Sequence, residues 1–167
     1  IEQMQRDPLT GLYNKGATQE HIRTLLTEMP NEPFAFLILD IDDFKLVNDR
    51  FGHGAGDEVL SEFAQIVSGQ FHHEDVVGRI GGDEFVAFVP MSGVAEAKKQ
   101  ATELMEVLCK DVVTDQGVCH FSASLGIALT PPHERDLEAL YRHADRALYR
   151  AKALGKNRFV IDALIEI

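Results

Sequence analysis

The stretch "RIGGDEFVAFVP", residues 79–90, decides how this chain is read. Two glycines run into two acids, with a short apolar run on either side. "VVGRI" (76–80) and "FVAFV" (85–89) read as strands separated by residues 81–84, a hairpin with Asp83 and Glu84 at its tip. Working outward, "FAFLILD" (34–40) is a continuous apolar run of strand length, the pattern of a strand buried on both faces. Asp40 closes that run. An ionised carboxylate there needs water or a cation, because low dielectric penalises an unpaired charge heavily. With the hairpin paired beside this strand, Asp83 and Glu84 arrive next to Asp40. Three carboxylates at one sheet edge repel one another unless a divalent ion neutralises them. Hard oxygen donors without a Cys or His set favour magnesium or manganese over zinc. An ordinary acidic turn is the competing reading, and from the carboxylates alone both stand.

The rest of the chain supplies the layers around this edge. Residues 1–13 carry Asp-Pro and Thr-Gly signals and read as an entry segment and turn. Asn14 is placed to cap a helix whose apolar positions are Ala17, Ile22, Leu25, Leu26 and Met29, ended by Pro30 and Pro33. A second helix is predicted from about 56 to 68, and a third through Val94, Ala97, Ala101, Leu104, Met105 and Leu108. "CHFSASLGIAL" (119–129) reads as one strand with Phe121, Ala123, Leu125 and Ile127 inward. A fourth helix turns Leu137, Leu140, Tyr141, Ala144, Leu148 and Ala151 inward, stops near Gly155, and leads into "RFVI" (158–161). Hairpin-paired strands with helices packed on one face give an α+β layered domain with an antiparallel or mixed sheet. No repeat, low-complexity tract or linker divides it.

At 167 residues the chain suits one domain, and 45% hydrophobic with 26% charged residues is ordinary for a water-soluble globule. The net charge of −11 argues against a surface that grips a nucleic-acid polymer or an anionic membrane. A small anionic substrate held locally by a metal and a few lysines stays open. No stretch reaches the length of a membrane helix, and Cys109 and Cys119 lack zinc spacing, so a reducing, cytoplasmic setting is expected. "DIDDFKLVND" (40–49) fails as a calcium loop, because Lys45 stands where the sharp turn needs glycine. "FGHGAGD" (51–57) follows no strand and lacks the lysine and hydroxyl of a P-loop.

Five blocks in order then carry a family resemblance: "DPLTGLYNK", "LDIDDFKLVNDRFGHGAGDEVL", "RIGGDEF", "SLGIA" and "ADRALYRAKALGKN". The chain resembles the GGDEF domain, the catalytic domain of diguanylate cyclases, almost end to end. The resemblance implies a palm-like nucleotide cyclase fold, a five-stranded mixed sheet surrounded by helices with the GGDEF motif on a β-hairpin. It implies condensation of two GTP into cyclic di-GMP with release of two pyrophosphates, across a homodimer. By motif position Asp40, the Ile41 carbonyl and Asp83 would hold Mg2+ or Mn2+. Glu84 would assist the metal or deprotonate the attacking 3′-hydroxyl. Phe44, Lys45, Lys152 and Lys156 fall at phosphate-binding positions, and Asn48 and Asp57 at guanine-reading ones. Lys156 stands where arginine is common, a point charge in place of a fork. Gly81 and Gly82 would supply the backbone freedom of a tight turn and, at Gly82 above all, leave room for the nucleotide. Arg79 would orient the hairpin or a phosphate.

The resemblance also carries an expectation of weak self-inhibition. Many relatives bind product through arginine-x-x-aspartate just before the hairpin; here "HHED" (72–75) puts His72 in the arginine's place and keeps Asp75. Residues 1–6 are expected to be the end of a linker helix from an upstream sensor or dimerising region, and 7–167 the catalytic domain. A catalytically silent GTP-binding regulatory module is the alternative function.

Overall fold

The computed structural model describes residues 2–162. Residue 1 and residues 163–167, the outer ends of the expected 1–6 leader and 7–167 domain, lie outside the described residues. A 3-10 turn at Glu2–Gln5 precedes α1 (Lys15–Glu28), β1 (Phe34–Ile41), α2 (Phe44–Phe51) and α3 (His53–Gly69). Then come β2 (Val76–Arg79), β3 (Glu84–Pro90), α4 (Val94–Val107), β4 (Lys110–Thr114) and β5 (Gly117–Phe121). The chain continues through β6 (Ala123–Thr130), α5 (Leu137–Ala153) and β7 (Phe159–Asp162).

Five strands form the central sheet in the order β2-β3-β1-β6-β7. All neighbours are antiparallel except β6 and β7, so the sheet is mixed. Strand alternation divides the side chains of β1 between two cores. Ala35, Leu37, Leu39 and Ile41 pack with Val59, Phe63, Ala101 and Leu104 of α3 and α4. Phe34, Phe36 and Ile38 pack with Ile22 of α1 and Leu140, Ala144 and Leu148 of α5. Helices therefore cover both faces, correcting the expectation of one covered face. The reason is visible in β1 itself, all eight of whose residues are buried.

Several elements depart from the sequence reading. Residues 44–51 form a helix where none was expected, and α3 starts at His53, earlier than 56. The expected single strand over 119–129 breaks at Ser122. Its first part pairs with β4 in a separate two-stranded sheet, and only β6 joins the main one. Ser122 is diverted into other bonds: its carbonyl accepts the Asp42 N–H at 2.9 Å, and its hydroxyl donates to Asp42 Oδ2 at 2.7 Å.

α5 lies very close to the sheet. A Cβ on Gly126 of β6 would meet the Ala144 carbonyl at 2.0 Å and the Leu148 nitrogen at 2.4 Å. Only glycine permits that approach, which brings the functional groups of α5 within reach of the strand ends.

Candidate active site

The register of the sheet assembles the acids. Asp40 of β1 pairs directly with Glu84 of β3 on one side and Ser124 of β6 on the other. Asp40 and Glu84 share the face of Phe36 and Val86, which looks toward α5. The Ile41 N–H donates to the Asp83 carbonyl at 3.3 Å, fixing the hairpin tip against the end of β1.

Asp40 is 7% exposed, and its Oδ1 has no hydrogen-bond partner among the described residues. Its other oxygen accepts from Lys152 Nζ of α5. Burial is the main force raising the Asp40 carboxyl to about 7; Lys152 opposes the rise and Asp83 adds to it. Burial alone would lower Lys152, but Asp40, Asp83 and Asp42 outweigh it and hold the ammonium above its usual value. A second lysine reaches the same edge: Lys156 Nζ lies 2.5 Å from Asp43 Oδ1.

A buried carboxylate oxygen without a partner, pressed by a neighbouring acid, is unfavourable unless something positive fills the gap. The donors at this edge, the carboxylates of Asp40 and Asp83 with Glu84 across the register from Asp40, are all hard oxygen groups. They suit magnesium or manganese.

Asp42 behaves differently although it is just as buried, at 8% exposed. Ser124 donates to Oδ1 at 2.6 Å, while Ser122 and the Asn157 N–H donate to Oδ2 at 2.7 and 2.9 Å. It staples the end of β1 to β6 and to the turn after α5, and has no oxygen left over. Sequence reasoning passed over it among the acids of "DIDD".

The hairpin tip is held by Arg79. Its guanidinium donates to the carbonyls of Gly81 at 3.2 Å and Gly82 at 2.8 Å, and to both oxygens of Asp7 at 3.2 Å. Asp7 is in turn fixed by the Thr10 N–H at 2.9 Å and the Thr10 hydroxyl at 2.8 Å. Although burial works against it, these bonds and Arg79 keep the Asp7 carboxyl below its usual value. Neither Gly81 nor Gly82 takes a left-handed backbone, correcting the expectation that the turn demands such freedom. The guanidinium shapes the turn instead. A Cβ on Gly82 would meet nothing within 4 Å, so the open space there is real.

Tyr141 of α5 adds a contact the sequence did not suggest, since it read only as an inward apolar position. Its hydroxyl donates to Glu84 Oε1 at 2.8 Å. Burial first, and then the Glu84 charge, push the phenol well above its usual range, so it remains a donor.

The remaining expected residues surround this edge less tightly. Phe44 and Lys45 occupy the first turn of α2, directly after Asp43, whose φ is 55°. Asn48 packs where α2 meets α3: a Cβ on Gly56 would lie 1.9 Å from Asn48 Oδ1. Asp57, on the first turns of α3, is exposed and lines a cleft of about 370 Å³ with Leu9, Ser61, Gln65 and Val113. That cleft includes none of Asp40, Asp83 or Glu84. In the "HHED" turn the His72 N–H donates to Asp75 Oδ2 at 2.9 Å, so the retained aspartate is engaged locally. His72 and Asp75 line a separate cleft of about 450 Å³ beside Met91 and Lys99.

The sequence matches the family model "Diguanylate cyclase, GGDEF domain" over residues 4–158. The chain belongs to the GGDEF domain family. This GGDEF domain is 34% identical over 155 residues to the cyclic di-GMP phosphodiesterase PdeR of Escherichia coli, covering 93% of the chain. It is 35% identical over 159 residues to the response regulator PleD of Caulobacter vibrioides, covering 92% of the chain. The chain spans 23% of PdeR and 35% of PleD. The solved GGDEF domain of TpbB from Pseudomonas aeruginosa matches it with a TM-score of 0.84 at 34% identity, covering 95% of both chains. No helix among the described residues is long and apolar enough to cross a membrane.

Proposed function

We propose that this GGDEF domain is a diguanylate cyclase: two GTP condense into cyclic di-GMP and two pyrophosphates. The observation that carries the reading is the buried Asp40 carboxylate, one oxygen unpartnered, beside Asp83 and opposite Glu84. Asp40, Asp83 and the Ile41 carbonyl would hold Mg2+ or Mn2+. Bound there, the ion would lower the pKa of the attacking 3′-hydroxyl and stabilise the leaving pyrophosphate.

The chain's own residues do the rest. Lys152 and Lys156, now paired with Asp40 and Asp43, exchange those acids for the triphosphate when nucleotide arrives. The backbone N–H groups of Phe44 and Lys45, at the start of α2, and the Lys45 ammonium receive phosphate oxygens. Asp57 accepts from guanine N1–H and the exocyclic amine, with Asn48 beside it; adenine would leave the acid facing an acceptor. Gly82 keeps side chains out of the nucleotide's path, and Glu84 serves the metal or takes the hydroxyl proton.

One domain supplies one GTP while the product joins two nucleotides with twofold symmetry, so two copies face each other during the reaction. We place the domain in the cytoplasm, under an upstream sensor or dimerising region. His72 in place of arginine weakens product inhibition through the "HHED" turn. Tight cyclic di-GMP binding by calorimetry, lost in His72→Ala, would contradict that.

Incubation with GTP and magnesium should yield cyclic di-GMP and pyrophosphate, and Asp83→Asn should yield neither. A silent GTP-binding regulatory module is the second reading, favoured by the match to part of PdeR, a protein named for phosphodiesterase activity. GTP binding without product in the same assay would select it.

A further inference from the structure

Glu84 begins β3 at the hairpin tip, next to Asp83 and opposite Asp40 in the strand register. The Tyr141 hydroxyl donates to its Oε1 at 2.8 Å.

The tyrosine is itself held. Its ring packs against Phe36 at 5.8 Å between centroids, with the planes at 54°. It also leans on the buried cluster under α5, whose distance from the sheet is set by Gly126. Phenylalanine would fill this position equally well. The hydroxyl is therefore not explained by packing, and among the described residues it donates to the acid next to the candidate metal position.

We propose that Tyr141 is a positioning residue, engaging one oxygen of Glu84 so that the other is presented to a divalent cation at the Asp40–Asp83 edge. The inference rests on the cyclase reading for its kinetic consequence, but not for its binding consequence. A carboxylate held at one oxygen is a single, oriented donor and cannot clamp the ion with both. Outer hydrogen-bond partners of this kind commonly set metal affinity or activity by about 10- to 100-fold.

The test compares wild type with Tyr141→Phe, titrating Mn2+ by electron paramagnetic resonance with a non-hydrolysable GTP analogue present. We expect Mn2+ to bind roughly 10-fold more weakly in the variant. The effect should vanish when Glu84→Gln is already in place, since the hydroxyl acts through that carboxylate. In turnover assays kcat should fall by a similar factor while KM for GTP stays within about twofold. Unchanged Mn2+ affinity in Tyr141→Phe, or an equal loss in the Glu84→Gln background, overturns the proposal. So does a wild-type chain that binds no Mn2+. A wild type that binds Mn2+ but makes no cyclic di-GMP overturns the cyclase reading alone; the Mn2+ titration still decides the role of Tyr141.

Discussion

Each end of the central sheet buries an aspartate, and the two are treated in opposite ways. At the end formed by the close of β1, Asp40 keeps one oxygen without a partner and is crowded by Asp83. At the other end Asp162, 4% exposed, is surrounded. Arg146 donates to its two oxygens at 3.0 and 2.8 Å, and the nitrogens of His133 and His143 each lie 3.2 Å from Oδ2. The histidine rings stack at 3.8 Å, tying the β6–α5 connection and the middle of α5 to the end of β7. Asp162 is neutralised by groups the protein supplies. Asp40 is only half neutralised, by a lysine that can leave. Burial alone does not separate the two acids; the completeness of their partners does.

Breaking each end should therefore give opposite results. Asp40→Asn should reduce cyclic di-GMP formation by about three orders of magnitude or more, with a thermal midpoint equal to or above wild type. Asp162→Ala should do the reverse. Losing a buried acid with a partly exposed partner costs about 2 kcal/mol, so the midpoint should fall by roughly 4–8 °C. Turnover per folded molecule should hold. A dead Asp162→Ala that melts like wild type would dissolve the distinction.

The pH dependence sharpens it further. Because burial raises the Asp40 carboxyl to about 7, the folded metal-free chain keeps a proton there that the unfolded chain has lost. Asp40 therefore lowers stability progressively as pH rises from about 4 to about 7. Asp40→Asn removes that slope. In chelator, the stability difference between variant and wild type should grow in the variant's favour from pH 5 to pH 8, measured by urea denaturation. A constant difference would mean the acid is better satisfied than its geometry indicates. The smallest effect is expected at Lys156, which faces exposed Asp43. Lys156→Arg should lower KM for GTP by about two- to fivefold, with little change in kcat.

Much of the acid edge was legible in the sequence because strand periodicity is a local property. A six-residue apolar run closed by Asp40, and a glycine-bearing hairpin ending in two acids, leave few ways to pair. α2 was not legible: at eight residues, with Val47 alone buried, "FKLVNDRF" is too short for a helical period to stand out. The β4–β5 hairpin was hidden for a related reason, since Val113 and Val118 point outward and blur the alternation. Asp42, Tyr141 and the Arg79–Asp7 clamp act over long sequence separations. Their targets exist only once the sheet has formed. The pairing of Asp7 with Thr10 in "DPLTG" was the one local hint of that clamp.

Gly126 touches none of the candidate ligands, yet it works as the spacer that sets how far α5 stands off the sheet. Any side chain there would force the helix away on the order of an ångström. Lys152 and Tyr141 would withdraw with it, like two probes on one arm. Misplacement on that scale is enough to cost about a hundredfold in rate. A substitution in the middle of the sheet would then present itself, in a turnover assay, as an injury to the active site.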